Sequence, residues 1–161
     1  MKAPLLLVSA LITACGASGP QFKPEATSAS DVSLYIYRPD TMVGIINFDV
    51  PFIHLNDTLL TRIRIGGYLV KRVAPGKHKL TTTESLFGSD TGKVRGETTF
   101  EAGAGSPVYL RYTEQFKKVT PIVLPNVVVI SSTGDYRFEL VDEETALSEL
   151  RETERLEVKN K

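Results

Sequence analysis

The chain has 161 residues, of which 42% are hydrophobic and 24% charged, a composition that suits one domain with a packed core and argues against wholesale disorder. Lys plus Arg and Asp plus Glu number 19 each, and loss of Lys2 with a cleaved signal would leave a side-chain net charge of −1. A nucleic-acid binder needs a basic excess to neutralise phosphates, so we expect no nucleic-acid partner. The single cysteine, Cys15, excludes an internal disulfide and a cysteine-rich metal site.

The first 14 residues have the anatomy of a cleaved signal peptide: Lys2, an apolar run from Leu5 to Ile12, and then small residues. The apolar run is shorter than the roughly 20 residues that a membrane-spanning helix needs. The residues before Cys15 resemble the lipobox of bacterial lipoproteins, in which an aliphatic and two small residues precede a cysteine that is diacylated and becomes the new N-terminus; they are Ile12, Thr13 and Ala14. The alternative is an ordinary signal, cleaved after Gly16 or Ala17, with Cys15 incidental.

Lipidation would attach the protein to a membrane, because each buried methylene of an acyl chain contributes about 0.8 kcal/mol. Gly16 follows the cysteine, where Gram-negative lipoproteins that stay in the inner membrane usually have aspartate. The resemblance therefore implies the outer membrane of a Gram-negative host, with the domain facing the periplasm. Residues 15–31 are rich in Gly, Ser, Ala and Pro, which predicts a lipidated N-terminus and a flexible tether reaching about 50 Å when extended.

A single domain is predicted over residues 32–161, and it begins with period-two alternation typical of β-strands. In the first strand Val32, Leu34 and Ile36 share the face expected to line the core. The apolar run from Phe48 to Leu55 then leads into Asn56-Asp57 and a returning strand, Leu59 to Ile65, which predicts a hairpin.

Two further hairpins are predicted: Tyr68 to Val73 with Lys77 to Thr83 across Pro75-Gly76, and Lys93 to Phe100 with the strand around Leu110. Pro121 and Pro125 argue against a central strand before Val127, and a last alternating strand follows at Tyr136, Phe138 and Leu140.

A short C-terminal helix is predicted from Asp142, which can cap it. Glu143 and Glu144 suit its N-terminal end, and Arg151, Arg155 and Lys159 suit its C-terminal end. Its narrow apolar stripe is Ala146, Leu147 and Leu150. The fold class is therefore mainly β: an antiparallel β-sandwich of about seven to eight strands with one short C-terminal α-helix.

Four segments, in this order and spacing, carry a family resemblance: VSLYIYRPD, IRIGGYLVKRVAPGKHKLTT, SPVYLRYT and FELVDEETALSEL. They resemble domain-of-unknown-function family 2846, which is often found on lipoproteins, and the likeness covers nearly all of Val32 to Leu156. The resemblance implies a small sandwich of the prealbumin or PEGA-like kind, with no established activity or ligand. The chain has Asn56-Asp57 where the family commonly completes the first hairpin turn with glycine.

Catalytic and metal-binding motifs are missing from the sequence, so we predict no catalytic residues, no metal site and no cofactor. His54 and His78 lie on separate predicted strands without neighbouring ligands at metal-binding spacing, which favours a structural role for both. No nucleophile elbow, P-loop, dinucleotide-binding or EF-hand motif occurs, and the glycines of EAGAGS are explained by a bend before a strand.

Two surfaces could bind a partner. One is a basic stripe on predicted neighbouring strands, formed by Arg62, Arg64, Lys71 and Arg72; the other is the apolar stretch of Ile122 to Leu124 and Val127 to Ile130. A solvated sheet face and a buried strand are the ordinary explanations of these patterns.

Three functions remain open at this point. The leading hypothesis is a noncatalytic, membrane-anchored module that binds an envelope protein or glycan. The others are a purely structural envelope protein and a periplasmic enzyme that uses a carboxylate pair on an envelope glycan, since such acids need only meet in space.

Overall fold

The computed structural model describes residues 17–25, 29–40, 50–124 and 127–158, with the backbone alone over 115–124 and 127–135. Over these residues it is mainly β, with two sheets and one short C-terminal helix, which confirms the predicted fold class. The elements, in chain order, are β1 (Val32–Arg38), β2 (Phe52–Leu55), β3 (Thr58–Arg62), β4 (Gly67–Val73), β5 (Gly76–Leu86), β6 (Ser89–Ala102), β7 (Val108–Leu124), β8 (Val127–Val141), α1 (Glu143–Leu150) and β9 (Glu154–Arg155).

The five-stranded sheet has the order β8-β7-β1-β4-β9 and the four-stranded sheet the order β3-β2-β5-β6. Most neighbours are antiparallel, as predicted, but β1 with β7 and β4 with β9 are parallel, so the larger sheet is mixed. Arg38 ends β1 and donates through Nη1 to the carbonyl of Ile63, 3.2 Å away, while the Ile63 N–H bonds Pro51 O. The ends of β1 and β3 and the beginning of β2 therefore lie at one end of the sandwich.

The strand directions define two ends of the sandwich. β1, β3, β5 and β7 run towards the end that holds Arg38 and Ile63, which we call the proximal end, and β2, β4, β6 and β8 run away from it. The β5–β6 turn is thus proximal, whereas the Asn56-Asp57 turn and the β6–β7 connection are at the opposite, distal end.

Both faces of β1 are buried, although the sequence predicted one core face. Val32, Leu34 and Ile36 pack between the sheets, as expected from their alternation. Tyr35 and Tyr37 point to the other side, where Ala146 and Leu150 of α1 cover them. A strand covered on both faces is expected to be largely apolar or aromatic, and β1 is so except at Ser33 and Arg38, which are buried polar residues.

The helix begins and packs as its sequence predicts. The Asp142 carboxylate accepts the N–H of Thr145 at 2.9 Å, and Ala146 and Leu150 are fully buried. It ends at Leu150, however, and Arg155, predicted to stabilise its C-terminal end, lies in β9 opposite Tyr68. Lys159 lies outside the described residues.

The Asn56-Asp57 turn confirms the first predicted hairpin. Asn56 and Asp57 have φ of 49° and 64°, as a two-residue type I′ turn requires, and their side chains tolerate this conformation without glycine. The start of the apolar run, at Phe48, lies outside the described residues.

The other two predicted hairpins are wrong. Pro75-Gly76 joins β4 and β5, and residues 103–107 join β6 and β7, but in each case the two strands belong to different sheets. Alternation marks a strand and turn residues mark a reversal, yet neither identifies the partner strand, so a crossing between sheets looks like a hairpin. The actual hairpins are β5–β6 and β7–β8.

Pro121 lies inside β7 opposite Ile130, so the strand extends further than predicted. Its position is consistent with the rule that proline avoids central strands, because the pairing of β1 with β7 covers only Val108 to Arg111. Beyond that point β7 pairs with β8 in a two-stranded ribbon. Pro125 lies outside the described residues.

The segment before β1 differs from the predicted flexible tether over residues 17–25, which lie against the domain. The N–H of Ala17 bonds Ile65 O at 3.3 Å, and that of Phe22 bonds Thr153 O at 3.0 Å. The Phe22 ring packs edge-on against Tyr68 and Tyr35, with centroids 5.2 and 6.0 Å away. Burial of the Phe22 ring stabilises the contact of this segment with the domain. The amino-acid composition of the segment did not indicate such a contact.

Candidate functional site

The predicted lipidation site, Cys15, and the residues before it, Ile12 to Ala14, lie outside the described residues. The predicted basic stripe does not form. Arg62 ends β3 in the smaller sheet, whereas Lys71 and Arg72 lie on β4 in the larger one. Lys71 and Arg72 are exposed, and only Arg62 and Arg64 of the four share a cavity.

That cavity is an open cleft of about 490 Å³ at the proximal end, between β3 and the chain around β9. Its walls come from the leading segment, from β2 and β3, and from the chain after β9. The lining residues are Ala17, Ser18, Gly19, Phe52, Leu59, Thr61, Arg62, Arg64, Arg155, Leu156, Glu157 and Val158.

Arg62 is held firmly at the mouth of the cleft. Its Nε donates to Val50 O at 3.3 Å, and its Nη2 donates to Ser85 Oγ at 3.2 Å. The guanidinium carbon stands 5.3 Å from the centre of the Phe52 ring, a cation–π distance. The side chain is therefore positioned by β2 and β5 as well as by its own strand.

The other charges of the cleft are mixed. Arg64 and Glu157 are exposed, and Arg155 pairs with Glu25 of the leading segment at 2.9 Å. The cleft is open and carries charges of both signs. It therefore suits contact with a charged surface better than enclosure of a small substrate.

A second polar cluster joins three strands on the outer face of the smaller sheet. His54 Nε2 lies 2.9 Å from Asp90 Oδ2 and 3.1 Å from Thr83 Oγ1, and the Thr83 hydroxyl donates to Asp90 Oδ1 at 2.6 Å. Burial opposes ionisation of Asp90, but hydrogen bonds from Thr83, Gly92 N–H and His54 outweigh it and hold the pKa of the carboxyl below its usual value.

This cluster lacks the geometry of a nucleophile triad. In a triad the hydroxyl meets one ring nitrogen and the acid meets the other. Here Thr83 and Asp90 both meet His54 Nε2, and the hydroxyl proton is directed to the carboxylate. The arrangement ties β2 to the β5–β6 hairpin, which is the structural role predicted for His54.

His78 is also engaged in structure. Its Nε2 lies 2.8 Å from Ala74 O, its Nδ1 lies 3.0 Å from Asn56 Nδ2, and its ring stacks on Phe100 at 5.6 Å. Within the described residues no group of three or more His, Cys, Asp or Glu side chains could hold a metal ion.

Two carboxylates, one on β8 and one on α1, share an arginine partner. Glu139 and Glu149 both bind the guanidinium of Arg111, and Glu149 also accepts the hydroxyl of Tyr37 at 2.6 Å. Burial and the adjacent Glu149 raise the pKa of Tyr37. A glycosidase needs space for substrate between its two acids, and here an arginine occupies it.

The tip of the β5–β6 hairpin exposes apolar side chains. Leu86 is 56% exposed and Phe87 is 99% exposed. A Cβ built on Gly88 would lie 3.8 Å from Arg62 Nη1, so the tip is next to the cleft. This exposed tip was not predicted from the sequence. The apolar residues Leu86 and Phe87 before Gly88, at a turn where polar residues are usual, could have indicated it.

The predicted apolar stretch, Ile122 to Leu124 and Val127 to Ile130, forms the end of the β7–β8 ribbon. Because β7 runs in the direction of the proximal end, this part of the ribbon lies on that side, beyond the part of β7 that pairs with β1. In the part of the chain that the structure describes, no helix is long and apolar enough to cross a membrane.

Comparison with protein families gives a match over part of the chain. The model of the family described as "Protein of unknown function (DUF2846)" matches residues 28–124. The chain belongs to this family. No curated protein and no solved structure matches the chain. The family predicted from the sequence is thereby confirmed over residues 28–124, and it assigns no activity to any of the residues above.

Proposed function

We propose that this DUF2846 protein is a lipid-anchored lipoprotein of the bacterial cell envelope, attached through Cys15 and acting as a noncatalytic binding or structural module. The observation that carries the proposal is the sequence Ile12-Thr13-Ala14-Cys15 at the end of a basic and then apolar leader. Gly16 after the cysteine supports residence in the outer membrane, with the domain facing the periplasm of a Gram-negative host.

The geometry of the domain supports a binding or structural module over an enzyme. Its histidines hold turns and strands together, and its close carboxylates share an arginine. What the described surface does offer is an open cleft and an exposed apolar turn, which are features of contact surfaces. A protein or glycan of the envelope is the expected partner class.

Labelling with a palmitate analogue and mass spectrometry of the N-terminus test the anchor in full-length protein expressed in a Gram-negative host. The expected N-terminus is a modified Cys15, and the protein should partition into the detergent phase of Triton X-114. Cys15→Ala should remain unprocessed and unlabelled, while the matched variant Ala17→Ser should be labelled normally. Normal processing and firm attachment of Cys15→Ala would contradict the proposal.

Residence is tested by Gly16→Asp, which should move the labelled protein from outer-membrane to inner-membrane fractions on a density gradient. An unchanged distribution of this variant would contradict the predicted sorting, without bearing on lipidation itself.

A further inference from the structure

Among the described residues, nothing explains why a phenylalanine occupies position 87. It has φ of 49° and is followed by Gly88 at 81°, so the two residues form a type I′ turn between Leu86 and Ser89. The first position of such a turn favours Asn, Asp or Gly, because a large side chain is strained there. Phe87 is also 99% exposed, so packing against the described residues does not compensate for the strain. A strained, exposed aromatic residue indicates contact with something outside the chain.

Positive charge lies directly beside this apolar tip. Arg62 Nη2 bonds Ser85, which precedes the tip, and Arg62 Nη1 has no hydrogen-bond partner among the described residues. Arg64 is exposed in the same cleft. Apolar side chains flanked by arginine are the composition of surfaces that lie in the headgroup region of an anionic bilayer.

The β7–β8 hairpin carries a second apolar segment in the same direction as the β5–β6 tip. The register from Tyr109↔Val141 to Leu124↔Val127 carries this ribbon well past the paired part of β1. The sequence at its end, Ile122 to Leu124 and Val127 to Ile130, contains no charged residue. The ribbon therefore runs in the same direction as β5, and its uncharged end lies beyond the paired part of β1.

The leading segment reaches the domain at this end as well. Ala17 lines the cleft, and its N–H bonds the carbonyl oxygen of Ile65. Cys15 precedes Ala17 by two residues, which span at most about 8 Å. A lipid on Cys15 would therefore enter the bilayer close to Ala17, which lines the same cleft as Arg62. The distal end, by contrast, presents Asn56, Asp57 and Lys79.

We propose that the proximal end of the sandwich lies on the lipid bilayer, with Phe87 at the boundary of headgroups and acyl chains and Arg62 at the phosphates. This rests on the proposed lipid anchor for attachment, but orientation is a separate property. An anchored domain without this surface would tumble above the membrane. The distal end and the outer face of the smaller sheet then face the periplasm.

Fluorescence quenching tests the orientation in the full, lipidated protein. The chain has no tryptophan, so Phe87→Trp introduces a single reporter at the tip. Ala104→Trp is the matched control, because Ala104 is exposed in the β6–β7 connection at the distal end. Each protein is reconstituted into vesicles of phosphatidylethanolamine and phosphatidylglycerol, with and without brominated acyl chains.

The expected result is a blue shift and a loss of emission for Phe87→Trp when the chains are brominated, with little change for Ala104→Trp. Equal quenching of the two reporters, or emission of an unquenched, water-exposed Phe87→Trp, overturns the orientation. Mass spectrometry of the same preparation reports the anchor independently. A lipidated protein with an unquenched tip overturns this inference alone, whereas a protein that lacks the lipid and does not bind vesicles overturns the proposed function and this inference together.

Discussion

The backbone N–H of Ala17 donates to the carbonyl of Ile65 across 3.3 Å, joining the start of the described chain to the loop between β3 and β4. Residues 17–25 continue along the domain, where Phe22 contacts Tyr68 and Tyr35. A lipid at Cys15 would consequently hold the domain close to the membrane instead of at the end of a long tether.

Removal of the Phe22 ring should release this segment. Phe22→Ala is expected to lower the free energy of unfolding by about 1–2 kcal/mol, because the ring is half-buried and makes two aromatic contacts. Hydrogen exchange at the amides of Ala17 and Phe22 should accelerate, while exchange in β1 should change little. Gln21→Ala, which removes one exposed hydrogen bond, serves as the control. Unchanged exchange in Phe22→Ala would show that the ring does not hold the segment.

Replacement of Phe87 by asparagine should stabilise the domain. Asparagine tolerates the left-handed backbone of the turn, and the phenyl ring makes no packing contribution at 99% exposure. Urea denaturation should show a gain of about 0.5–1 kcal/mol in Phe87→Asn. Gly88→Ala, at φ 81°, should instead lose about 1 kcal/mol. A loss of stability in Phe87→Asn would mean that the ring packs on the chain, which would remove the reason for seeking an outside partner.

The buried ion pair of Arg38 and Glu114 should behave as a unit. Nη2 and Oε1 lie 3.1 Å apart, and the side chains are 7% and 6% exposed. Arg38→Met or Glu114→Leu alone should each cost about 3–5 kcal/mol, because the remaining charge stays buried after this ion pair is lost. The double variant should be much less destabilised than the sum of the single variants. Additive losses in urea denaturation would contradict a coupled pair.

Asp90 should make stability depend on pH at the acid end. The folded pKa of Asp90 lies below the ordinary value of 3.8. Its contribution to the free energy of unfolding is therefore complete above that value and is lost as the pH falls through the folded pKa. Asp90→Asn should therefore have a lower urea midpoint than the natural chain at pH 7, and the two midpoints should converge as the pH falls below the folded pKa. Glu152→Gln, at an exposed position, is the control. A difference that stays constant between these pH values would rule out this linkage.

Some elements of the fold were predicted correctly from the sequence and others were not. Alternation in β1, the Asn56-Asp57 turn and the Asp142 cap were predicted correctly, because each depends on residues that are close in the chain. The Pro75-Gly76 reversal was assigned to a hairpin because the same turn chemistry serves a crossing between sheets. The basic stripe was wrong for the same reason, since β3 and β4 follow each other in sequence but belong to different sheets.

Local periodicity and short motifs in the sequence were enough to predict the family, the mainly β fold with its terminal helix, and a lipid at Cys15. Only the tertiary structure placed Arg62, Phe87 and Ala17 at one end of the sandwich. Their proximity depends on how strands from two sheets align, and that alignment is set by long-range packing between residues far apart in the chain.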